Sequence, residues 1–247
     1  MFYHTLNPVL LHLGPVEIRY YGLVYALGFI IAYFLIKHLA TQRKVHFAKE
    51  HVDTYIFYMI IGVIAGARLI YVLFYNPTYY LMHPFQIFAL WKGGLSFHGG
   101  VLGGALMAFL FSRRYQYRFL ALADLTAIPL ALALFFGRIA NFINGELYGR
   151  ITTLSWGVKF SNVDGFRHPS QLYEAAKNLF LFGVLWHYRK TTWKDGTLFA
   201  LFLIGYSVLR FFIEFVREPE LYVSILTMGQ FLSLFTLLFG VIILWKK

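Results

Sequence analysis

Long apolar runs alternate along this chain with short, polar, mostly basic stretches. A hydrocarbon core about 30 Å thick takes roughly 20 residues of helix to cross. Seven runs approach that length, at about Tyr20–Leu39, Thr54–Tyr75, Gly93–Ser112, Phe119–Gly137, Ser170–Tyr188, Thr197–Val216 and Ile225–Trp245. The fifth is charge-free only from Asn178 to Tyr188, and it carries Glu174 and Lys177 at a spacing that lets them pair on one helical face. The opening residues, with Asn7-Pro8 and Gly14-Pro15 and no basic start, do not read as a secretory signal. They read as an external segment or an interfacial helix. Arg138–Pro169 is the longest external loop; it holds the turn-rich piece Ser161–Gly165 and a short strand expected within Thr153–Phe160. The pattern predicts an all-α polytopic membrane protein with seven transmembrane helices. A single transmembrane domain would cover residues 1–247, with a small external head at about 138–169 between spans four and five.

Composition strengthens this reading. The chain is 59% hydrophobic and 13% charged, where a soluble domain carries roughly 25% charge. A net charge of +11 would suggest nucleic acid in a soluble protein. Here the charge sits in loops, where it reads as membrane topology, and no nucleic-acid partner is expected. Twelve of the 22 Lys and Arg fall in one set of loops: Lys37, Arg43, Lys44 and Lys49, then Arg113, Arg114 and Arg118, then Arg189, Lys190 and Lys194, then Lys246 and Lys247. The opposite side holds seven, including Arg19, Lys92, Arg150 and Lys159. The richer side is cytoplasmic, so the N-terminus is expected outside and the C-terminus inside. The chain has no cysteine, which excludes disulfides and an enzyme-borne thiol nucleophile but not thiol chemistry on a substrate. The histidines are scattered, so no metal site and no cofactor are expected. Many secondary transporters are built from related halves, and no internal repeat is visible here.

Within the apolar runs the polar residues are few and clustered. Tyr206, Arg210, Glu214 and Arg217 lie at offsets 0, 4, 8 and 11 in the sixth span, within about 80° of one another on a helix. Lipid cannot satisfy such a stripe, so it must face a bundle interior or a wet cavity. It suits either a structural Arg–Glu network or phosphate binding by guanidinium. Gly137–Gly149 adds Arg138, Asn141, Asn144 and Glu146, with Gly145 and Gly149 able to break the helix and bring backbone amides to a ligand. Arg138 is the natural phosphate partner, and Glu146 would orient it or act as a base. His98, at the start of the third span, is either an interior hydrogen-bonding group or a proton acceptor. Asp124 is expected to partner a buried cation such as Arg68, and Ser170 to cap the fifth helix. Gly62/Gly66 and Gly99/Gly103 form small-xxx-small pairs, expected to pack helices closely or to leave room for a substrate chain.

The segment Gly137–Gly149 resembles the signature of the bacterial prolipoprotein diacylglyceryl transferase family. Further matching segments run along nearly the whole chain: Ile18–Gly22, Gly66–Leu69, Phe97–Gly100, Arg167–Glu174 and Arg210–Pro219. The resemblance implies transfer of the diacylglyceryl group of phosphatidylglycerol to the thiol of the lipobox cysteine in a preprolipoprotein signal peptide. A thioether forms and glycerol 1-phosphate leaves. It also implies a multi-pass protein of the bacterial cytoplasmic membrane with its site toward the external face. On this reading Arg138 and Arg210 clamp the departing phosphate, and Asn141 and Glu146 position groups around it. Tyr21 and Tyr206 offer hydroxyls, and Asn144, Gly149, Glu214 and Arg217 complete the substrate site. His98 accepts the thiol proton, or the arginine field lowers the thiol pKa without a dedicated base. Two other readings compete. Intramembrane Arg68, Asp124, Glu174, Lys177, Arg210 and Glu214 would also suit a proton-coupled transporter, and arginine with histidine would suit a lipid enzyme with another acceptor.

Overall fold

A computed structural model describes residues 1–13, 16–42, 47–191, 194–219 and 221–246. Gly14, Pro15, Arg43, Lys44 and Lys247, which entered the reading above, lie outside the described residues. The helices are α1 (Tyr20–Gln42), α2 (Lys49–Phe74), α3 (Pro77–Met82), α4 (Phe97–Arg114), α5 (Phe119–Ile143), α6 (Ser170–Tyr188), α7 (Thr197–Ile213) and α8 (Met228–Trp245). Among the described residues, four are long and apolar enough to cross a membrane: α1, residues Glu50–Phe74 of α2, α5 and α8; α7 is a shorter apolar helix. The protein is therefore a helical membrane protein. Large apolar side chains such as Phe34, Phe57, Phe212 and Phe235 are exposed on these helices, as lipid-facing positions require.

Several elements differ from expectation. The N-terminal segment is not helical: β1 (Phe2–Tyr3) is followed by a hairpin of β2 (Val9–Leu13) and β3 (Val16–Arg19). Val16-Glu17-Ile18-Arg19 alternates apolar and polar residues, which is the period of a strand. α5 runs past the expected end at Gly137 to Ile143, because nothing in that stretch breaks a helix until Gly145, which sits at φ +68°. α4 starts at Phe97 rather than Gly93, since Gly93 and Gly94 both have positive φ. α8 starts at Met228, after a small hairpin of β5 (Tyr222–Val223) and β6 (Leu226–Thr227). Its first turn is held by a capping box between Thr227 and Gln230. The strand expected in Thr153–Phe160 shrinks to β4 (Val158–Lys159), which pairs in parallel with β1.

The chain divides into two compact units. The smaller, Lys44–Ala123, is built on α2 and α4. A Cβ on Gly103 would strike the carbonyl oxygen of Gly62, and one on Gly66 would strike that of Gly99. The four glycines are thus a seam of backbone on backbone. Arg68, buried in the same unit, donates to the carbonyls of Gln86, Ile87, Ala89, Gly93 and Gly94. It fastens the stretch between α3 and α4, with all of its donors on backbone carbonyls. The larger unit joins Met1–Arg43 to Asp124–Lys247. Asp124 accepts from the backbone amides of Gly196 and Phe199 and so caps α7. Leu125, Ile128, Leu181, Leu185, Leu198 and Phe202 are buried in this unit. The N-terminus is tied to the segment after α5: the Met1 ammonium donates to the Ser155 carbonyl at 2.6 Å, and His4 Nε2 lies 2.7 Å from the Phe142 carbonyl.

Candidate active site

The polar residues of the larger unit converge on two carboxylates. Glu174, in the second turn of α6, has a side chain with no exposed surface. Its Oε1 accepts from Arg210 Nη1 and its Oε2 accepts from Lys177 Nζ at 2.7 Å. Arg138 Nε lies farther off, 3.8 Å from the same Oε2. Glu214, one turn beyond Arg210, pairs with Arg210 Nη2 at 2.7 Å and with Arg217 Nε at 3.5 Å. It also accepts from the Thr227 hydroxyl at 3.1 Å, and its carboxylate lies against the backbone of Gly229, where a Cβ would come within 2.5 Å. The ammonium of Lys177 sits 3.6 Å from the centroid of the Tyr206 ring, a cation–π contact. Of the stripe expected on one helix, only Tyr206 and Arg210 lie on α7, which ends at Ile213 rather than Val216; Glu214 is its C-cap, and Arg217 lies beyond it, bridged to Gly149.

A second layer comes from α5 and the turn after it. Arg138 and Asn141 are one turn apart, and Arg138 Nη1 reaches Asn141 Oδ1 at 3.4 Å. Asn141 Nδ2 donates to Glu146 Oε1 at 2.8 Å and to the Tyr21 hydroxyl at 3.2 Å. Asn144 Nδ2 touches the same Glu146 oxygen at 3.5 Å. Glu146 thus reaches Arg138 through Asn141 rather than directly. The turn carrying Glu146 is held in an uncommon backbone form, with Leu147 at φ +56°, a conformation that costs of order 1 kcal/mol or more in a non-glycine residue. The N-terminus of α6 fixes it: Gln171 Nε2 donates to the Glu146 carbonyl at 2.6 Å, and Ser170 Oγ to the Leu147 carbonyl at 2.9 Å. Ser170 therefore anchors this turn and does not cap α6, whose first residue it is.

Gly149 also differs from expectation. Its amide donates to the His168 carbonyl at 2.8 Å, so it does not point at a ligand. A Cβ there would strike the carbonyl oxygen of Val216; glycine is needed because two backbones meet. His168, next to this junction and partly buried, has its pKa lowered by desolvation. His98 belongs to the smaller unit, where it is exposed in the first turn of α4 beside Phe97.

The electrostatic balance decides what the cluster can do. Arg138, Lys177, Arg210 and Arg217 face Glu174 and Glu214, four positive groups to two negative. The balance stays positive even when Glu146 is added. Among the described residues, hydrogen-bonding capacity is also left over: Arg217 Nη1, Glu214 Oε2, Gln171 Oε1 and both amide atoms of Asn178 are buried without a hydrogen-bond partner. Buried polar groups are nearly always satisfied, so such a group of exceptions needs a reason. A surplus of buried cations with unspent donors is the arrangement that receives a phosphate. Arg138 and Arg210 are each about one-sixth exposed, at 16% and 15% of their side-chain surface, so the cluster opens at that point. Position in the sequence singled out Arg138, Arg210, Glu214 and Arg217 but not the central part of Glu174. The signal was available: Gln171, Glu174 and Asn178 repeat at helical spacing on α6.

Comparison with known proteins identifies the family. The sequence profile of the family described as prolipoprotein diacylglyceryl transferase matches residues 8–246. A protein of Nitrosomonas europaea named phosphatidylglycerol–prolipoprotein diacylglyceryl transferase is 44% identical over 247 residues, covering 97% of this chain and 89% of that one. Proteins of the same name from Rickettsia akari and Geobacter sulfurreducens are 43% and 44% identical, each covering 97% of this chain and 96% and 95% of their own. With the profile spanning almost every residue and these relatives matched along nearly their full lengths, the chain belongs to the prolipoprotein diacylglyceryl transferase family.

Proposed function

We propose that this protein transfers the diacylglyceryl group of phosphatidylglycerol to the thiol of the lipobox cysteine of a preprolipoprotein, the first step of bacterial lipoprotein maturation. Family membership supports the reaction. The observation that carries the site is the buried surplus of cations around Glu174 and Glu214. In this reading the phosphodiester of the lipid lies against Arg138, Arg210 and Arg217. The cysteine sulfur attacks the glycerol carbon that bears the phosphate oxygen. The sulfur–carbon bond forms, the carbon–oxygen bond breaks, and glycerol 1-phosphate leaves with the added negative charge. The arginines stabilise that developing charge in a poorly solvated setting, where such preorganised groups are most effective. The thiol must lose its proton, since thiolate is the reactive form, and either His98 accepts it or the arginine field lowers the thiol pKa without a dedicated base. Asn141, Asn144 and Glu146 hold Arg138 in place, and the Tyr21 and Tyr206 hydroxyls contact the substrate. Glu214 positions Arg210 and Arg217, and Gly149 keeps the junction beside Arg217 closed. The absence of cysteine accords with a nucleophile that belongs to the acceptor.

The same reading makes residues 1–247 one transmembrane domain of the cytoplasmic membrane, with α1, α2, α4, α5, α6, α7 and α8 as seven spans. The N-terminus and a small head between α5 and α6 are external, and the C-terminus is cytoplasmic. The excess of Lys and Arg in the opposite loops supports this orientation. The pairing of β1 with β4 supports a shared side for the N-terminus and the head.

Mass spectrometry tests the reaction. Purified protein is incubated with phosphatidylglycerol and a lipobox peptide. The expected result is a diacylglyceryl mass gain on the peptide, with release of glycerol phosphate and no gain on the Cys→Ser peptide. A well-folded protein that leaves the cysteine peptide unmodified would exclude this function.

A further inference from the structure

Nothing in the reaction as described uses Lys177, yet it is one of the most deeply buried cations in the molecule. Its side chain is 2% exposed, on a helix expected to cross the membrane. A lysine buried at such a place is costly and calls for a function. Its partners are Glu174 Oε2 at 2.7 Å and the face of Tyr206. The same oxygen is the nearest carboxylate to Arg138, which it meets only at 3.8 Å. Arg138's other contact, with Asn141, is also long, at 3.4 Å. The carboxylate is thus occupied by Arg210 on one oxygen and by Lys177 on the other, and Arg138 is left loosely held with donors to spare.

We propose that Lys177 is a positioning residue that keeps Arg138 available to the phosphate of the lipid by occupying the carboxylate oxygen that would otherwise hold the guanidinium. The proposal rests on the phosphate-clamp reading above. Arginine pairs with carboxylate through two parallel hydrogen bonds when both are free to do so. With Lys177 gone, Glu174 Oε2 turns to Arg138, and the surplus of positive charge in the cluster falls from two to one. Removing Glu174 as well returns the surplus to two and leaves Arg138 without a competing carboxylate. Phosphate affinity therefore follows the balance between Lys177 and Glu174, not the presence of either alone.

The test measures inhibition by glycerol 1-phosphate and the KM for phosphatidylglycerol in full-length enzyme, with thermal unfolding to count folded molecules. Lys177→Met is expected to raise both constants about tenfold, the size of a 1.4 kcal/mol loss. Lys177→Arg, which keeps the charge, is expected to recover most of the affinity. The double variant Glu174→Gln with Lys177→Met is expected to bind glycerol phosphate better than Lys177→Met alone. If Lys177→Met lowers only the unfolding temperature and leaves both constants near wild type, Lys177 is merely a counter-ion and the proposal fails. If Lys177→Met does not fold, the double variant decides: inhibition tenfold weaker than wild type overturns the proposal, and near-normal inhibition supports it. Arg138→Ala serves as the control on the underlying reading. If it too binds glycerol phosphate normally, the clamp reading fails, and Lys177 is not at issue.

Discussion

Two buried arginine sites, one in each unit, look alike in sequence and differ in what they leave unspent. Arg68 sits inside an apolar helix and distributes its guanidinium over five backbone carbonyls. No donor remains for a ligand, and the adjacent glycine seam between α2 and α4 admits not even a methyl group. Arg138 and Arg210 also lie on helices and Arg217 lies just beyond the end of α7, but they share two carboxylates with a fourth cation, and Arg217 Nη1 is buried without a hydrogen-bond partner among the described residues. The first arrangement is closed and structural. The second carries a surplus of charge, which on the proposed reading an anion completes. On that reading, leftover hydrogen-bonding capacity and leftover charge separate a functional arginine from a structural one.

The contrast can be broken from either side. The largest effect is expected at Glu174. Changing it to Ala leaves Lys177 and Arg210 without their short contacts and should cost about 3–5 kcal/mol of stability, the range for removing one partner of a buried ion pair. Thermal unfolding in detergent would read this directly, and an unchanged melting temperature would mean that the cluster is far wetter than described. Next comes the seam. Gly103→Leu drives a side chain into the Gly62 backbone and should cost at least the roughly 1–3 kcal/mol of an overpacked core, seen as lost yield and a lower Tm. Arg68→Ala leaves carbonyls without donors, at about 1–3 kcal/mol, yet the folded fraction should keep a near-normal KM for the lipid.

The smallest effect sharpens the comparison at the edge of the ionic site. Burial lowers the pKa of His168, so the folded protein favours the neutral ring. The unfolded chain, with an ordinary histidine pKa of about 6.5, takes up the proton first on acidification. The contribution of His168 to stability is therefore complete above pH about 6.5 and declines below it. The drop in Tm between neutral and mildly acidic pH should shrink in His168→Gln; an identical drop would remove the effect.

Much of this was legible in the residues. Apolar runs reveal helices because hydrocarbon demands length, and the placement of Tyr206 and Arg210 together on α7 emerges from spacing alone. Other features depend on partners that spacing cannot supply. Glu174 becomes central only because α5 and α7 bring Arg138 and Arg210 to it. Charge suggests a carboxylate for Arg68, whereas its donors go to backbone carbonyls, which a sequence carries at every position. Gly149 read as a ligand-binding amide because its true neighbour, Val216, is distant in the chain. The N-terminal hairpin shows in the sequence only as the brief alternation of Val16 to Arg19.

The most direct test of the central claim compares one arginine from each site. Transfer to a lipobox peptide would be measured per folded molecule for Arg138→Ala and Arg68→Ala against wild type. The account predicts a loss of about 10²–10³-fold for Arg138→Ala, the scale of removing one preorganised charge-stabilising group, and a rate close to wild type for Arg68→Ala. Near-normal transfer by Arg138→Ala would contradict it, because the surplus of cations would then have no part in releasing the phosphate.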